Sequence, residues 1–287
     1  DILIRGISQF PQTVAKVAKA RVVLKPNIVE VEPDLPIHTD TRFIVSAVEA
    51  FRALGAREVV VAEGAGHRRD TYLMLEQSGL HQALEKLKAP FVDLNIDDTT
   101  PVPLTLNRSG LNEIHFPHTV LGADLLVSLP KMKTHHWAGV TLTMKNLFGL
   151  VHPDSREAQF HGHPDNDADP ARFERAFAQM NLAFAPTLNV MDALLSRTTG
   201  GPTPPGDVAE TDMVLFGRDR VAMDAVGLAI LKVYGTEPHI EDKPVWDQVQ
   251  LAEAARLGFG VSGPDGITLV GDGISELADI EAALRET

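Results

Sequence analysis

Arg21-Val22-Val23-Leu24-Lys25-Pro26-Asn27 opens the part of the chain that decides the fold. Its short β-branched run over 21–24 is too brief for a helix and is soon followed by a proline, so it reads as a buried strand. Residues 41–54 then set Phe43, Ile44, Ala47, Val48, Phe51 and Leu54 at helical spacing, with Thr39 or Asp40 as N-cap and Gly55 as the stop. Val59-Val60-Val61-Ala62 is the next strand. Strand, helix and strand in that order need a crossover connection, which predicts an α/β fold with a mainly parallel sheet flanked by helices.

Working outward, the same alternation continues. A helical stretch over 71–87 breaks near Gly79, and a strand near 91–94 follows, then extended segments at 101–106 and 113–116. Residues 124–129 read as another buried strand, and 140–151 as a helix entered from a histidine-bearing loop. The polar stretch 152–170 precedes a helix over 171–184 and a strand at 187–191. Gly-Gly-Pro-Thr-Pro-Pro-Gly at 200–206 is the densest turn signal and marks a rigid loop or linker. Beyond it come strands at 213–216 and 267–270, helices at 221–234 and 245–257, and a last helix from 276. Two lobes are expected, residues 1–130 and 131–287, with a site between them.

Composition narrows the function. An apolar share of 44% and a charged share of 23% describe an ordinary globular protein. With 39 acidic against 26 basic residues, the net charge of −13 disfavours nucleic acid and anionic lipid surfaces as partners. No apolar run reaches the ~20 residues that cross a bilayer; 120–129 and 221–231 are short and carry Asp124 and Asp224. A soluble chain is expected. It begins at Asp1, so the reading is cytoplasmic by default and exported if an upstream signal segment was removed, with the oligomeric state left open.

The absence of cysteine excludes disulfides, iron–sulfur clusters and thiol nucleophiles together. Any metal must be held by His, Asp, Glu or Lys. P-loop, His-Glu-x-x-His, Gly-x-Ser-x-Gly and EF-hand patterns are all missing, which disfavours nucleotide hydrolysis, zincin proteolysis and serine-hydrolase chemistry.

What remains is a concentration of histidine. His115, His118, His135, His136, His152, His161 and His163, seven of the eleven, fall within residues 115–163. Neutral imidazole both ligates transition metals and exchanges protons near neutral pH, so clustering points to one or the other. Glu63-Gly64-Ala65-Gly66-His67-Arg68-Arg69 follows a strand directly, where ligands collect in α/β sheets, although the turn is also readable as an ordinary one with an exposed His67. It lacks the third glycine of a dinucleotide fingerprint.

Lys131-Met132-Lys133-Thr134-His135-His136-Trp137 leads to Lys145, the only charged residue between Trp137 and Val151. Lys145 is either a solvated group or a buried amine whose lowered pKa suits it as nucleophile, base or ligand. His135 and His136, being adjacent, are expected to point to opposite sides of an extended chain, with His135 facing the site. His161-Gly162-His163 has the alternating spacing of a metal-ligand pair or belongs to a solvated loop. Lys25 and Asn27, at the end of the first strand, are candidates for a substrate carboxylate or phosphate, together with Lys133, Arg42, Arg68 and Arg69. Asp192 and Asp224 read as structural.

The run 131–149, with Lys25-Pro26-Asn27, the turn at 63–67 and the loop at 200–206, resembles the domain of unknown function 362 family over most of the chain. Some relatives add a ferredoxin-like cluster module, which this cysteine-free chain cannot bind. The layout is also similar to that of the nickel-dependent lactate racemase superfamily. That resemblance implies His67 and His135 as an acid–base pair, Lys145 as the anchor of a nickel-pincer nucleotide, and His161 as a nickel ligand. The glycine-rich approach to the lysine is replaced here by residues 140–144, which argues against the pincer nucleotide itself.

The expected function is that of a metal-dependent enzyme acting on a small anionic substrate by His/Lys acid–base chemistry, in the manner of a racemase or epimerase. His67, His135 and Lys145 would be catalytic, Lys25, Asn27, Arg68 and Lys133 would bind substrate, and His161 with His163 would hold a divalent metal such as nickel, iron or zinc. Metal-assisted hydrolysis, or a non-enzymatic metal or anion carrier serving a redox partner, are the alternatives.

Overall fold

Strand β1 (Arg21–Pro26) lies between β2 (Glu58–Glu63) and β6 (Leu125–Leu129), parallel to both. In this computed structural model, which describes residues 2–32, 35–66, 69–104, 111–161, 163–166, 168–169, 171–202 and 205–286, the sheet extends both ways. It passes through β2 to β3 (Phe91–Asp93) at one edge, and through β9 (Leu188–Arg197) and β7 (Lys131–His135) to β8 (Gly139–Thr141) at the other. Strand β10 (Val208–Gly217) is antiparallel to β9, and β8 to β7; the remaining ladders of this sheet are parallel. A separate ladder joins β4 (Thr99–Pro103) and β5 (Glu113–Pro117). The mainly parallel α/β sheet flanked by helices is therefore present. It is continuous across residue 130, because β6 pairs with β9 and β9 with β7.

Parallel sheets are covered on both faces, so their strands read as unbroken apolar runs. On one face Val22, Leu24, Val59, Val61, Leu125 and Val127 pack against Ile44, Ala47, Val48 and Phe51 of the Thr41–Ala53 helix. On the other, Val23, Val60, Ala62 and Leu126 meet Phe173, Ala176 and Phe177 of the Ala171–Met180 helix. A third cluster joins Met132, Val140, Leu142 and Met191 to the Arg220–Val233 helix. Each such side chain removed from water contributes ~1.5–3 kcal/mol before entropy is counted.

Two expected elements differ. In place of one helix over 140–151 there is a β7–β8 hairpin, one helical turn at Thr143–Asn146 and a 3-10 turn at Leu147–Leu150. Gly139, at φ +66°, closes the hairpin, and alternating lysines disguise β7 as a polar segment although all five of its residues are buried. Residues 267–270 form no ladder: Ile267 and Leu269 lean on the third cluster, while Val270 is 90% exposed.

Candidate functional site

The carboxyl ends of β1 and β2 deliver Lys25, Asn27 and Glu63 to one edge of the sheet, the place where α/β folds collect ligands. The chain leaves β6 through Pro130 into β7, whose period of two puts Lys131, Lys133 and His135 on one face and Met132 in the core behind it. Lys145 arrives on the Thr143–Asn146 turn. Four buried lysines thus share the region, and their partners differ.

Lys25 is saturated. Its Nζ lies 2.7 Å from Glu63 Oε1 and donates to the Pro26 carbonyl at 2.7 Å and Asn146 Oδ1 at 3.1 Å. Glu63 also accepts the Ile28 and Gly64 backbone N–H groups at 2.8 and 2.9 Å. Burial lowers the Lys25 pKa and raises that of Glu63, and each charge opposes the shift of the other. Gly149 packs directly on this pair: a Cβ there would sit 2.8 Å from Lys25 Nζ and run into Glu63 Oε1. Lys131 has its own carboxylate as well, Asp192 at 2.9 Å.

Lys133 has none. It donates to Asn27 Oδ1 at 2.8 Å and to the Ile37 carbonyl, and burial, then the charge of Lys145, holds its pKa well below 10.5. Asn27 is itself committed, its amide donating to Asn146 Oδ1 at 3.1 Å and its backbone N–H to Thr39 Oγ1 at 2.8 Å. The expected anion-binding pair Lys25 and Asn27 therefore holds the frame of the site.

Lys145 stands apart. The Asp224 carboxylate accepts the Thr143 and Met144 N–H groups at 2.6 and 3.1 Å, fixing the start of its turn. The neighbouring Asn146 donates to the Lys25 carbonyl at 3.3 Å and to Ser128 Oγ at 2.9 Å, fixing the end. Between these clamps Lys145 Nζ makes no hydrogen bond or ion pair among the described residues; it lies 5.2 Å from the Phe177 ring centroid and 6.0 Å from that of Phe148. Burial, with a further push from Lys25, lowers its pKa to about 7.

His135 Nδ1 accepts the Trp137 and Ala138 N–H groups at 3.1 and 3.3 Å. A neutral imidazole has one donor and one acceptor nitrogen, so Nε2 carries the proton. Burial, then Lys145 and Lys133, keeps the pKa of His135 well below 6.5, and the ring presents a neutral Nε2–H donor. His136 does not point away as an extended chain would require. β7 ends at His135, the chain turns, and the two rings stack at 5.0 Å, with His136 Nδ1 bonded to the Gly201 carbonyl at 3.1 Å. Trp137, 61% exposed, stands 4.9 Å from the ring of His136 and 5.8 Å from that of His161.

His161 packs its ring against Phe148 at 5.5 Å and Phe173 at 5.3 Å, in the aromatic wall beside Lys145. His163 turns instead to Asp165, whose backbone N–H donates to its Nδ1 at 3.2 Å. His67 and Arg68 lie outside the described residues. Arg42 and Arg69 are tied to Asp40 at 2.8 Å and Glu30 at 2.5 Å. Among the described residues no three His, Asp or Glu side chains gather as ligands. Among the described residues no donor set for a resident nickel centre is assembled, and no step below is routed through a metal.

Sequence reasoning passed over several members of the site. Glu63 and Asn146 form the buried network, Glu63 at the head of the glycine turn and Asn146 immediately beside Lys145. Arg156, expected in an irregular stretch, donates to the Gly64 and Ala65 carbonyls at 3.3 and 2.9 Å and holds the glycine turn. His38, in the loop after β1, has its pKa lowered to about 4 by burial and then by Lys133 and Lys131, and Nδ1 of its ring is buried without a partner among the described residues.

The family model described as Domain of unknown function (DUF362) matches residues 22–229. The chain belongs to this family. Over 215 residues, this DUF362 chain is 26% identical to a thylakoid-associated protein of Synechocystis sp. (strain PCC 6803 / Kazusa), a match covering 74% of the chain and 63% of that protein. The chain thus spans less than two thirds of that relative. Among solved structures the DUF362 chain is similar to the lactate racemase apoprotein of Thermoanaerobacterium thermosaccharolyticum, with 14% identity and a TM-score of 0.41 over 62% of this chain and 43% of that one. It is also similar to a Thermotoga maritima protein, with 16% identity and a TM-score of 0.45 over 80% and 56% of the two chains. No described helix is long and apolar enough to cross a membrane.

Proposed function

We propose that this chain is an acid–base enzyme for a small carboxylate-bearing substrate, moving a proton at the carbon beside the carboxylate as a racemase or epimerase does. The observation that carries this reading is the imbalance of charge. Lys25 and Lys131 each have a buried carboxylate, whereas Lys133 and Lys145 have none among the described residues. An uncompensated buried cation costs several kcal/mol, and an arriving anion removes that cost.

Roles follow from the donors available. Lys133 receives the carboxylate. The His135 Nε2–H donor suits an oxygen on which charge develops when the neighbouring carbon loses its proton. Because its Nδ1 is occupied by two backbone N–H groups, His135 acts as a donor and not as a base. Lys145 meets the reacting carbon, and His67, which lies outside the described residues, keeps the role of second proton carrier that the sequence suggests.

Incubation with single enantiomers of 2-hydroxy acids in deuterated water, followed by proton NMR, tests the reaction. Deuterium at the carbon next to the carboxylate is expected in the wild type and is lost in Lys145→Met. No exchange across the panel, with binding intact, would overturn the reaction type.

A further inference from the structure

The four buried lysines are not equivalent nucleophiles. Lys25 spends its three protons on Glu63, Pro26 and Asn146, Lys131 is paired with Asp192, and Lys133 is bonded to Asn27 and Ile37. Lys145 has its amine clear of protein acceptors among the described residues, with its backbone pinned on both sides by Asp224 and Asn146. A buried lysine that only filled space would need no such clamps.

We infer that Lys145 captures the carbonyl carbon of a 2-oxo acid as an iminium, with Lys133 receiving the carboxylate and the His135 Nε2–H the carbonyl oxygen. The inference rests on the anion-site reading above and names the substrate class that the site takes. Three features support it. The amine is buried beside the Phe148 and Phe177 rings, apolar surroundings that would slow hydrolysis of a carbon–nitrogen double bond. The lowered pKa leaves a large share of Lys145 as free amine at neutral pH, the form that attacks carbonyls, and lysines placed beside other cations in apolar pockets are activated in this way. A lysine meant only to bind an anion gains nothing from losing its charge.

The step balances without a redox partner. The Lys145 lone pair adds to the carbonyl carbon, and a proton passes from its nitrogen to the oxygen to give a carbinolamine. The hydroxyl then takes a second proton, supplied by solvent, and leaves as water as the nitrogen forms the double bond. The resulting cation withdraws electrons from carbon 3, the neighbour of the former carbonyl carbon on the side away from the carboxylate, and acidifies its C–H bonds.

Trapping tests this on the full chain. Protein is incubated with pyruvate and cyanoborohydride, its intact mass is measured, and the adduct is mapped by peptide mass. One reduced adduct per chain on Lys145, absent from Lys145→Met and from samples given lactate in place of pyruvate, is the expected result. Adducts only on exposed lysines, equal in wild type and variant, or no adduct at saturating pyruvate, overturn it. Folding of Lys145→Met is checked by its thermal melt. Binding is read separately from Trp137 fluorescence in a Trp246→Phe background on adding lactate: binding without an adduct removes the iminium and keeps the anion site, whereas no binding removes both.

Discussion

Lys25 and Lys145 are both buried and both held through Asn146, yet they live in opposite surroundings. Around Lys25 every proton has an acceptor and the charge has its carboxylate, with Gly149 shaved to hydrogen so that the chain can close over the pair. Around Lys145 there are ring faces, a second unpaired lysine and an imidazole N–H. The difference teaches how to sort buried cations. One that brings its own counterion holds the fold together, and one without a counterion marks where something else arrives.

The largest expected effect tests that sorting. Removing the carboxylate in Glu63→Ala strands a buried charge and should cost about 3–5 kcal/mol in urea unfolding. Lys145→Met removes an amine whose charge burial disfavours and should leave stability near pH 7 unchanged or raised, while abolishing exchange and adduct formation. Equal losses in the two variants would erase the distinction.

A smaller effect sharpens the comparison through pH. The Lys145 amine has a pKa of about 7 when folded and 10.5 as an ordinary lysine, so the unfolded chain binds more protons between those values. Its contribution is fully present above pH 10.5 and is lost as pH falls through 7. Wild-type stability, measured against Lys145→Met, should therefore rise from pH 7 to 10.5. A flat difference would mean that the amine is as solvated in the folded state as in the unfolded one.

The sheet was legible in the sequence because β1, β2 and β6 are apolar on both faces and the Thr41–Ala53 helix carries its cap and stop. β7 was not, since Lys131, Lys133 and His135 alternate as an exposed edge would, and only the partners brought by β1, β9 and the loop after β1 show that they point inward. Lys145 stood out as a lone charge in an apolar run. Glu63 and Asn146 did not, because their value lies in contacts 38 and 121 residues distant from Lys25 in the chain.

The histidine-rich stretch provides the smallest expected effect. His161 and His163 look like a ligand pair in one dimension, but His161 is enclosed by the rings of Phe148, Phe173 and Trp137, whereas His163 faces Asp165. A metal site needs donors converging on one point with their lone pairs free, and here one ring of the pair packs into the aromatic cluster beside Lys145. Elemental analysis of protein purified without added metal or chelator should give the same content for wild type and His161→Ala. About one metal per chain, lost in the variant, would instead turn the aromatic wall into a metal centre. The charge beside Lys145 would then be counted anew, because a divalent cation there would repel the protonated amine and demand a still more anionic substrate.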